Sequence, residues 1–181
     1  MCAGSVLVRV PRGWRPAGKV AAFDWDATLT HGHGMWFNDA VLGRLMDLHA
    51  TGHAICVFSN QARIGANPWG AHSRAVRARI DRMLAVLPVP VVVFVACNRD
   101  EFRKPDRGMW DLFSAEFNRV DDLAGCFFVG DAAGRPGDHS DCDRGFASRI
   151  GVRFLTPESC FVRESKSESE TTDARGSPWR P

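Results

Sequence analysis

Continuous apolar runs alternate with helical patterns along this sequence, and that alternation restricts the fold more than any other feature. Four runs have the length and composition of strands that are buried on both faces. They lie at residues 20–23, 55–58, 89–96 and 126–129. Strands that alternate with helices predict a three-layer α/β/α fold with a mostly parallel, Rossmann-like sheet.

The segments between and after these runs have apolar residues at helical spacing. The first predicted helix begins near residues 38–39, and the second covers the apolar positions from Val76 to Leu87. Two further helices are predicted at 109–117 and 144–150.

Both ends of the chain differ in composition from this region. Residues 1–18 contain prolines and glycines that break any pattern, so we expect an N-terminal arm with one short strand at 6–10. Residues 162–181 are rich in serine, glutamate and lysine and cannot bury much surface, which predicts a disordered tail. A single domain is therefore expected at 19–161.

The composition is that of a globular chain, with 45% hydrophobic and 24% charged residues. Its formal net charge of +2 does not require a nucleic-acid partner, which would have to bind a local basic patch. No apolar run approaches the roughly 18 residues of a membrane-spanning helix. The six cysteines form no C-x-x-C pair, so we expect buried, reduced thiols and a reducing compartment, the nucleus or the cytoplasm.

Two acids, Asp24 and Asp26, follow the first predicted strand directly. Residues two apart in a strand face the same way, and adjacent carboxylates repel unless a positive charge lies between them. A divalent cation supplies that charge, and Mg²⁺ prefers hard oxygen ligands of this kind. The alternative is a pair of solvated loop acids, which fits less well with a position directly after a buried strand.

Polar residues also follow the other predicted strands. Ser59 and Asn60 end the second strand, where a hydroxyl and backbone amides can bind a phosphoryl group, although Ser-Asn is also common in turns. Lys104 follows the third strand and either neutralises phosphate oxygens or lies at the surface. Asp131 follows the fourth and can complete a metal site. In such a sheet these residues meet at the carboxyl ends of the strands, where ligands bind.

The order of acid pair, hydroxyl, lysine and acid resembles the four motifs of the haloacid dehalogenase superfamily of phosphotransferases. Longer stretches narrow the resemblance to the phosphatase domain of polynucleotide kinase 3′-phosphatase. They are Asp24-x-Asp26-Ala27-Thr28, Phe58-Ser59-Asn60-Gln61, Arg103-Lys104-Pro105-x-x-Gly108-Met109-Trp110 and Gly130-Asp131-Ala132-Ala133-Gly134-Arg135. The resemblance covers residues 19–161 and implies that superfamily's fold, with a minimal cap or none.

The resemblance also implies the chemistry of the first motif. Asp24 would be the nucleophile that forms an aspartyl-phosphate, and Asp26 would be the general acid and base. Mg²⁺ would bind Asp24, the main-chain carbonyl of Asp26, and Asp131.

The remaining motif residues receive supporting roles from the same resemblance. Ser59, the amide of Asn60, and Lys104 would hold the phosphoryl group. Asp138 and Asp143 are candidates for outer-shell support of the metal. A salt bridge from Asp143 to a neighbouring arginine is the alternative for that residue.

The function implied is a polynucleotide 3′-phosphatase, which removes 3′-phosphate from DNA ends during end processing and repair. It would act as a monomer away from membranes, and RNA ends are an alternative substrate. Two other hypotheses remain open. One is a small-molecule phosphomonoesterase of the same superfamily, and the other is a non-catalytic DNA-end-binding module.

Basic and aromatic residues are candidates for contacts to the nucleic acid. Arg63, Arg74 and Arg135 are the candidate phosphate contacts, although a solvated helix face also explains most arginines of the second helix. The candidate stacking platforms are Trp14, Trp69 and Trp179. Residues 65–70 are followed by Ala71-His72 instead of the Lys-Ser/Thr of a nucleotide-binding loop, so we interpret them as a loop near the active site.

The sequence departs from the family's pattern at three places. Ala27 replaces a glycine and is tolerable only if its backbone stays at negative φ. Ser59 replaces a more common threonine and keeps the hydroxyl. The insert at 31–38 is short, with Trp36 as a candidate for stacking on a base or packing the rim, which predicts an open site suited to a polymer end.

Overall fold

The computed structural model describes residues 2–162 except positions 4, 32–34, 66 and 68. Seven strands lie in this part of the chain: β1 (Cys2–Ala3), β2 (Val6–Arg9), β3 (Lys19–Phe23), β4 (His53–Asn60), β5 (Val91–Ala96), β6 (Phe127–Val129) and β7 (Arg153–Leu155). Five helices accompany them: α1 (Ala40–Ala50), α2 (Ala71–Leu84), α3 (Gly108–Glu116), α4 (Cys142–Ile150) and α5 (Pro157–Cys160). The four strands and four helices predicted from the sequence are confirmed.

The strands form one sheet in the order β1-β2-β5-β4-β3-β6-β7. Strands β5, β4, β3, β6 and β7 run parallel, whereas β2 pairs with β5, and β1 with β2, in the antiparallel direction. The mostly parallel sheet is therefore confirmed. Because β3 lies between β4 and β6, the residues that follow these three strands meet at one edge of the sheet.

Two apolar cores, one on each face of the sheet, give the predicted three layers. Successive residues of β3 alternate between them, with Phe23 in one core and Ala22 in the other. The first core is closed by α1 and α2 through residues such as Leu45 and Ile80. The second is closed by α3 and α4, and Trp110 of α3 packs there, as the sequence favours.

Local patterns missed the shortest elements and the edge of the sheet. β7 has three residues and α5 has four, which is too short for a periodic signal. The strand expected within residues 6–10 forms as β2, and its Val6 is fully buried against β5, so this part of the arm belongs to the sheet. The tail from residue 163 onwards lies outside the described residues.

Cysteine placement agrees with the expectation of buried thiols. The thiols of Cys56, Cys97, Cys126 and Cys160 are buried, whereas that of Cys142 is only partly buried. Across the described ranges, no helix combines the length and the apolar character needed to cross a membrane.

Candidate active site

Asp24 stands directly after β3, where its backbone N–H donates to Val129 O over 2.8 Å and prolongs the sheet. Its carboxylate is buried and lies 2.5 Å from Lys104 Nζ. The same ammonium lies 2.7 Å from a carboxylate oxygen of Asp143. The Lys104 side chain is only 1% exposed, so a buried lysine joins two buried acids.

Asp143 comes from the first turn of α4 and is 1% exposed. Its second oxygen accepts the backbone N–H of Ala132 over 3.1 Å. A Cβ on Gly130 would come within 2.5 Å of the Asp143 side chain, so glycine is required for this close approach. The alternative of a salt bridge from Asp143 to an arginine is wrong in the described structure, because the cation beside it is Lys104.

Asp131 completes a group of three acids with Asp24 and Asp143. Its backbone N–H donates to the hydroxyl of Thr28 over 3.1 Å, which ties the end of β6 to the loop after β3. One carboxylate oxygen from each acid can be chosen so that all three lie within 4.8 Å of one another. Against the single charge of Lys104, three ionised carboxylates leave two formal negative charges, and these hard oxygen donors suit a divalent cation.

Burial and neighbouring charges perturb the titration of this group. Burial raises the pKa of Asp24 to about 7, which Lys104 opposes and Asp143 reinforces. The pKa of Asp131 is also raised, first by burial and then by Asp143. Burial disfavours the charged form of Lys104, but Asp143 and Asp24 together raise its pKa above the ordinary value, so it remains an ammonium.

Asp26 lies in different surroundings from Asp24, although the two are only two residues apart. Its side chain is 51% exposed, and its oxygens lie 2.9 Å from Arg79 Nη1 and 2.6 Å from Gln61 Nε2. The expectation that both acids point into one metal site fails for this carboxylate, because β3 ends at Phe23 and strand alternation no longer applies. The predicted role of the Asp26 main-chain carbonyl stays a prediction.

Arg79 is one of the residues at this site to which the sequence assigned no role. It belongs to α2, whose arginines were mostly interpreted as a solvated face. The helix position of Arg79 was readable from the sequence, but its ion pair with Asp26 depends on how α2 packs beside the loop after β3.

Ser59 and Asn60 lie at the end of β4, as predicted. The Ser59 hydroxyl is buried and accepts a hydrogen bond from Gln61 Nε2 over 3.2 Å. The Asn60 side chain exchanges two hydrogen bonds of 3.0 Å with the backbone of Lys104, whose bond to Pro105 is cis. Asn60 therefore fixes the chain that carries the buried lysine.

One cavity of about 480 Å³ brings most of the predicted residues together. The following residues, all predicted from the sequence to belong to the site, line the cavity: Asp24, Asp26, Ser59, Asn60, Lys104, Asp131 and Asp143. Arg103 and His139 also line it, although the sequence assigned them no role. Of the four other predicted site residues, Asp138, Arg63, Arg74 and Arg135, none lines this cavity among the described residues.

Asp138 and Arg135 form an ion pair that shapes the loop after β6. Asp138 lies 3.0 Å from the Arg135 guanidinium and accepts the backbone N–H groups of Ala133 and Arg135. The hydrogen bond from Arg135 is the main cause that lowers the pKa of Asp138 to about 2. Arg135 also contacts Glu158, so a nucleic acid would have to compete with two acids for it.

The remaining aromatic and basic predictions have mixed outcomes. Trp14 is buried against Phe113, so its proposed role as a stacking platform is wrong. Trp36 packs against the apolar core rather than standing free. Arg63 is exposed, and Trp179 lies outside the described residues. Contacts of Arg63, Arg74 and Arg135 with nucleic acid stay predictions.

Ala27 does not meet the condition that the sequence set for it. Its φ is +57°, in the left-handed region that favours glycine. The backbone N–H of Ala27 donates to Thr30 O over 2.7 Å, which holds the turn in this conformation. The turn at Ala27, between Asp26 and Thr28, therefore carries backbone strain.

The sheet order and the acid cluster after β3, β6 and at α4 define an α/β domain of the haloacid dehalogenase type. A D,D-heptose 1,7-bisphosphate phosphatase from B. bronchiseptica, solved with magnesium and phosphate, shares this fold at a TM-score of 0.55. The two are 19% identical, and the match covers 75% of this chain and 78% of that one.

The chain belongs to the polynucleotide kinase 3 phosphatase family, whose family model matches residues 19–161. It is 37% identical over 158 residues to a bifunctional polynucleotide phosphatase/kinase of Schizosaccharomyces pombe, covering 81% of this chain and 38% of the relative. It is 35% identical over 179 residues to the polynucleotide 3′-phosphatase ZDP of Arabidopsis thaliana, covering 86% and 26%. The chain thus spans well under half the length of these two relatives.

Proposed function

We propose that this chain is a Mg²⁺-dependent polynucleotide 3′-phosphatase that removes the 3′-phosphate from DNA ends. The observation that carries the proposal is the buried Asp24 carboxylate, which lies 2.5 Å from the Lys104 ammonium, with both residues lining the cavity. A carboxylate fixed beside a permanent positive charge is suited to attack an anionic phosphate ester.

A divalent cation fits the donors that surround Asp24. Asp24, Asp131 and Asp143 would hold it, which assigns Asp143 a closer place than the outer shell expected from the sequence. Once bound, Mg²⁺ would favour the ionised form of Asp24 and neutralise phosphate oxygens. The fold relative from B. bronchiseptica was solved with magnesium, which agrees with this choice.

The reaction would proceed in two steps. Asp24 attacks phosphorus, the bond between phosphorus and the 3′-oxygen breaks, and Asp26 donates a proton to the leaving oxygen. Asp26 then accepts a proton from water, which attacks the aspartyl-phosphate, releases inorganic phosphate and restores Asp24. Lys104 stays protonated throughout. The Ser59 hydroxyl and the backbone N–H of Asn60 bind the phosphoryl oxygens.

Arg79 and Gln61 would position Asp26 for these proton transfers. Both contact its carboxylate, and both come from segments that follow β4. Because Asp26 is half exposed, the water molecule of the second step can reach its carboxylate, whereas the Asp24 side chain is only 11% exposed.

The polynucleotide substrate is favoured by the family and by the names of its members. One relative is named a polynucleotide 3′-phosphatase and the other a bifunctional polynucleotide phosphatase/kinase. We propose that the chain acts as a monomer, with the site formed by residues of one chain. Buried free thiols agree with a reducing compartment, which we propose to be the nucleus or the cytoplasm.

The test is phosphate release from a 3′-phosphorylated oligodeoxynucleotide, with and without Mg²⁺. We expect turnover by the wild type, loss of turnover in EDTA, and a loss of at least about 10⁴-fold in Asp24→Asn. Unchanged turnover by Asp24→Asn would exclude Asp24 as the nucleophile.

Two further arms of this assay separate the alternatives. Faster hydrolysis of sugar phosphates or histidinol phosphate than of the oligonucleotide would instead indicate a small-molecule phosphatase. Tight oligonucleotide binding without hydrolysis at any Mg²⁺ concentration would indicate a non-catalytic end-binding module. A matched 3′-phosphorylated RNA measures the preference for DNA.

A further inference from the structure

A second cavity lies between α2 and strand β2, which pairs with the edge strand β1. Its volume is about 330 Å³. The residues that matter here are Leu7, Arg9, Trp69, Arg77, Asp81 and Val95. Leu7 and Val95 form part of its apolar floor. We call this cavity the α2 groove.

Trp69 is a large aromatic ring that the protein holds in an exposed position. The residue is 68% exposed. The Arg77 guanidinium lies 4.6 Å from the ring centroid, and Arg74 Nη1 donates to the Trp69 carbonyl over 2.5 Å. Two arginines of α2 therefore fix the ring and the backbone of Trp69, which prepares a surface on which a nucleobase can stack.

Charge in the α2 groove favours a phosphate-bearing chain over an apolar peptide. Its lining contains two arginines and one acid, Asp81. Asp81 lies 2.8 Å from Arg9, so its charge is already compensated. Arg77 remains as excess positive charge beside an apolar floor, a combination that suits a base and its phosphate.

The loop between β4 and α2 connects the α2 groove to the candidate active site. Gln61, which contacts Asp26, donates its backbone N–H to Ala96 O at the end of β5. Gly65 then donates to Cys97 O, and Trp69 follows four residues later. On α2, Arg79 contacts Asp26 while Arg77 lines the groove, so both sites share one loop and one helix.

The strand order gives the spacing between the two sites. β5 and β2 are two and three strands from β3, and neighbouring strands lie about 4.8 Å apart, which puts the α2 groove roughly 10–15 Å from Asp24. If the single strand keeps the roughly 3.4 Å spacing of a stacked duplex strand, about three to four nucleotides span this distance.

We propose that the α2 groove binds a nucleobase of the substrate strand about three to four nucleotides from the 3′-phosphate, with Trp69 as the stacking platform. The proposal rests on the proposed function and specifies its substrate as a single-stranded 3′ end of at least this length. Binding energy there lowers KM without taking part in the chemistry at Asp24.

The test compares KM for 3′-phosphorylated DNA substrates of one, two, four, six and eight nucleotides. In the wild type we expect KM to fall about tenfold between two and six nucleotides, because stacking on an aromatic side chain has roughly this effect. In Trp69→Ala, KM should no longer decrease with substrate length, while kcat and the KM for the mononucleotide stay unchanged. In Trp69→Phe, part of the decrease in KM should remain. Met46→Ala, an exposed residue of α1, is the control and should match the wild type.

An abasic scan identifies what Trp69 contacts. Removing the base at one position, the third or fourth from the 3′ end, should raise KM for the wild type but not for Trp69→Ala. A Trp69→Ala enzyme with the same length dependence as the wild type, or with an equal KM increase for every length, would overturn the proposal.

Failure of the proposed function has a separate signature. If the wild type hydrolyses no 3′-phosphate, tryptophan fluorescence in the presence of an eight-nucleotide strand still tests the α2 groove. Quenching in the wild type that disappears in Trp69→Ala supports the groove, and quenching that is equal or absent in both overturns it.

Discussion

Asp24 and Asp26 are separated by one residue, yet the fold gives their side chains opposite surroundings. The Asp24 side chain is 11% exposed and lies against a buried lysine that it shares with Asp143. The Asp26 side chain is 51% exposed and contacts Arg79 and Gln61. The difference teaches that burial separates two chemically identical acids: one is held against a buried ammonium, and the other stays open to solvent.

Among the variants that test this comparison, Asp26→Asn should have the largest effect, and the effect is on the rate of hydrolysis. Hydrolysis of a 3′-phosphate should fall about 10³-fold, because a general acid typically contributes 10²- to 10⁴-fold. With p-nitrophenyl phosphate, whose leaving group needs no proton, the first step should survive. Rapid mixing should then record a burst of p-nitrophenol equal to the enzyme concentration, while a slow, burst-free reaction would contradict the assignment of Asp26.

Lys104→Met removes the buried ammonium that pairs with the carboxylates of Asp24 and Asp143. Two buried carboxylates would lose their partner, so we expect a loss of about 3 kcal/mol or more in the free energy of unfolding. Urea unfolding in EDTA measures this. Arg107→Ala, which breaks an exposed ion pair with Asp111, is the matched control and should cost less than about 1 kcal/mol. Equal losses in the two variants would show that burial does not distinguish them.

Arg79→Ala tests the Asp26 side of the comparison. We expect kcat for the 3′-phosphate ester to fall about tenfold with little change in stability, because exposed ion pairs contribute at most about 1 kcal/mol. Arg79→Lys should recover part of the rate, and Arg82→Ala, an exposed arginine later in α2, should have no effect. If Arg79 acts through Asp26, the double variant with Asp26→Asn should be no slower than Asp26→Asn alone. Additive losses would assign Arg79 another role.

The smallest expected effect is a change in stability from substituting Ala27, the turn residue between Asp26 and Thr28. Ala27→Gly should raise the free energy of unfolding by about 0.5–1 kcal/mol, because glycine adopts a φ of +57° without the strain of a Cβ. Ala75→Gly in α2 is the control and should lower stability by about 1 kcal/mol. Thermal or urea unfolding distinguishes these signs, and a destabilised Ala27→Gly would mean that the turn is not strained.

Much of the site could be predicted because its residues follow strands that local patterns identify. Asp24, Ser59, Lys104 and Asp131 were each placed after a strand by their positions in the sequence, and the cavity contains all four. Arg79 could not be assigned in this way, since its partner comes from a different segment of the chain. The sign of φ at Ala27 depends on a hydrogen bond to Thr30 and was likewise out of reach.

The sequence by itself determined the alternation of strands and helices and the family, because apolar periodicity and short motifs are local properties of the chain. Only the tertiary structure decided that Lys104, 80 residues from Asp24, lies buried between that acid and Asp143. It also decided that Asp26 forms an ion pair with Arg79, and that a groove lined by Trp69 lies between β2 and α2. These arrangements depend on strand order and helix packing, which bring distant residues into contact and cannot be deduced from spacing along the chain.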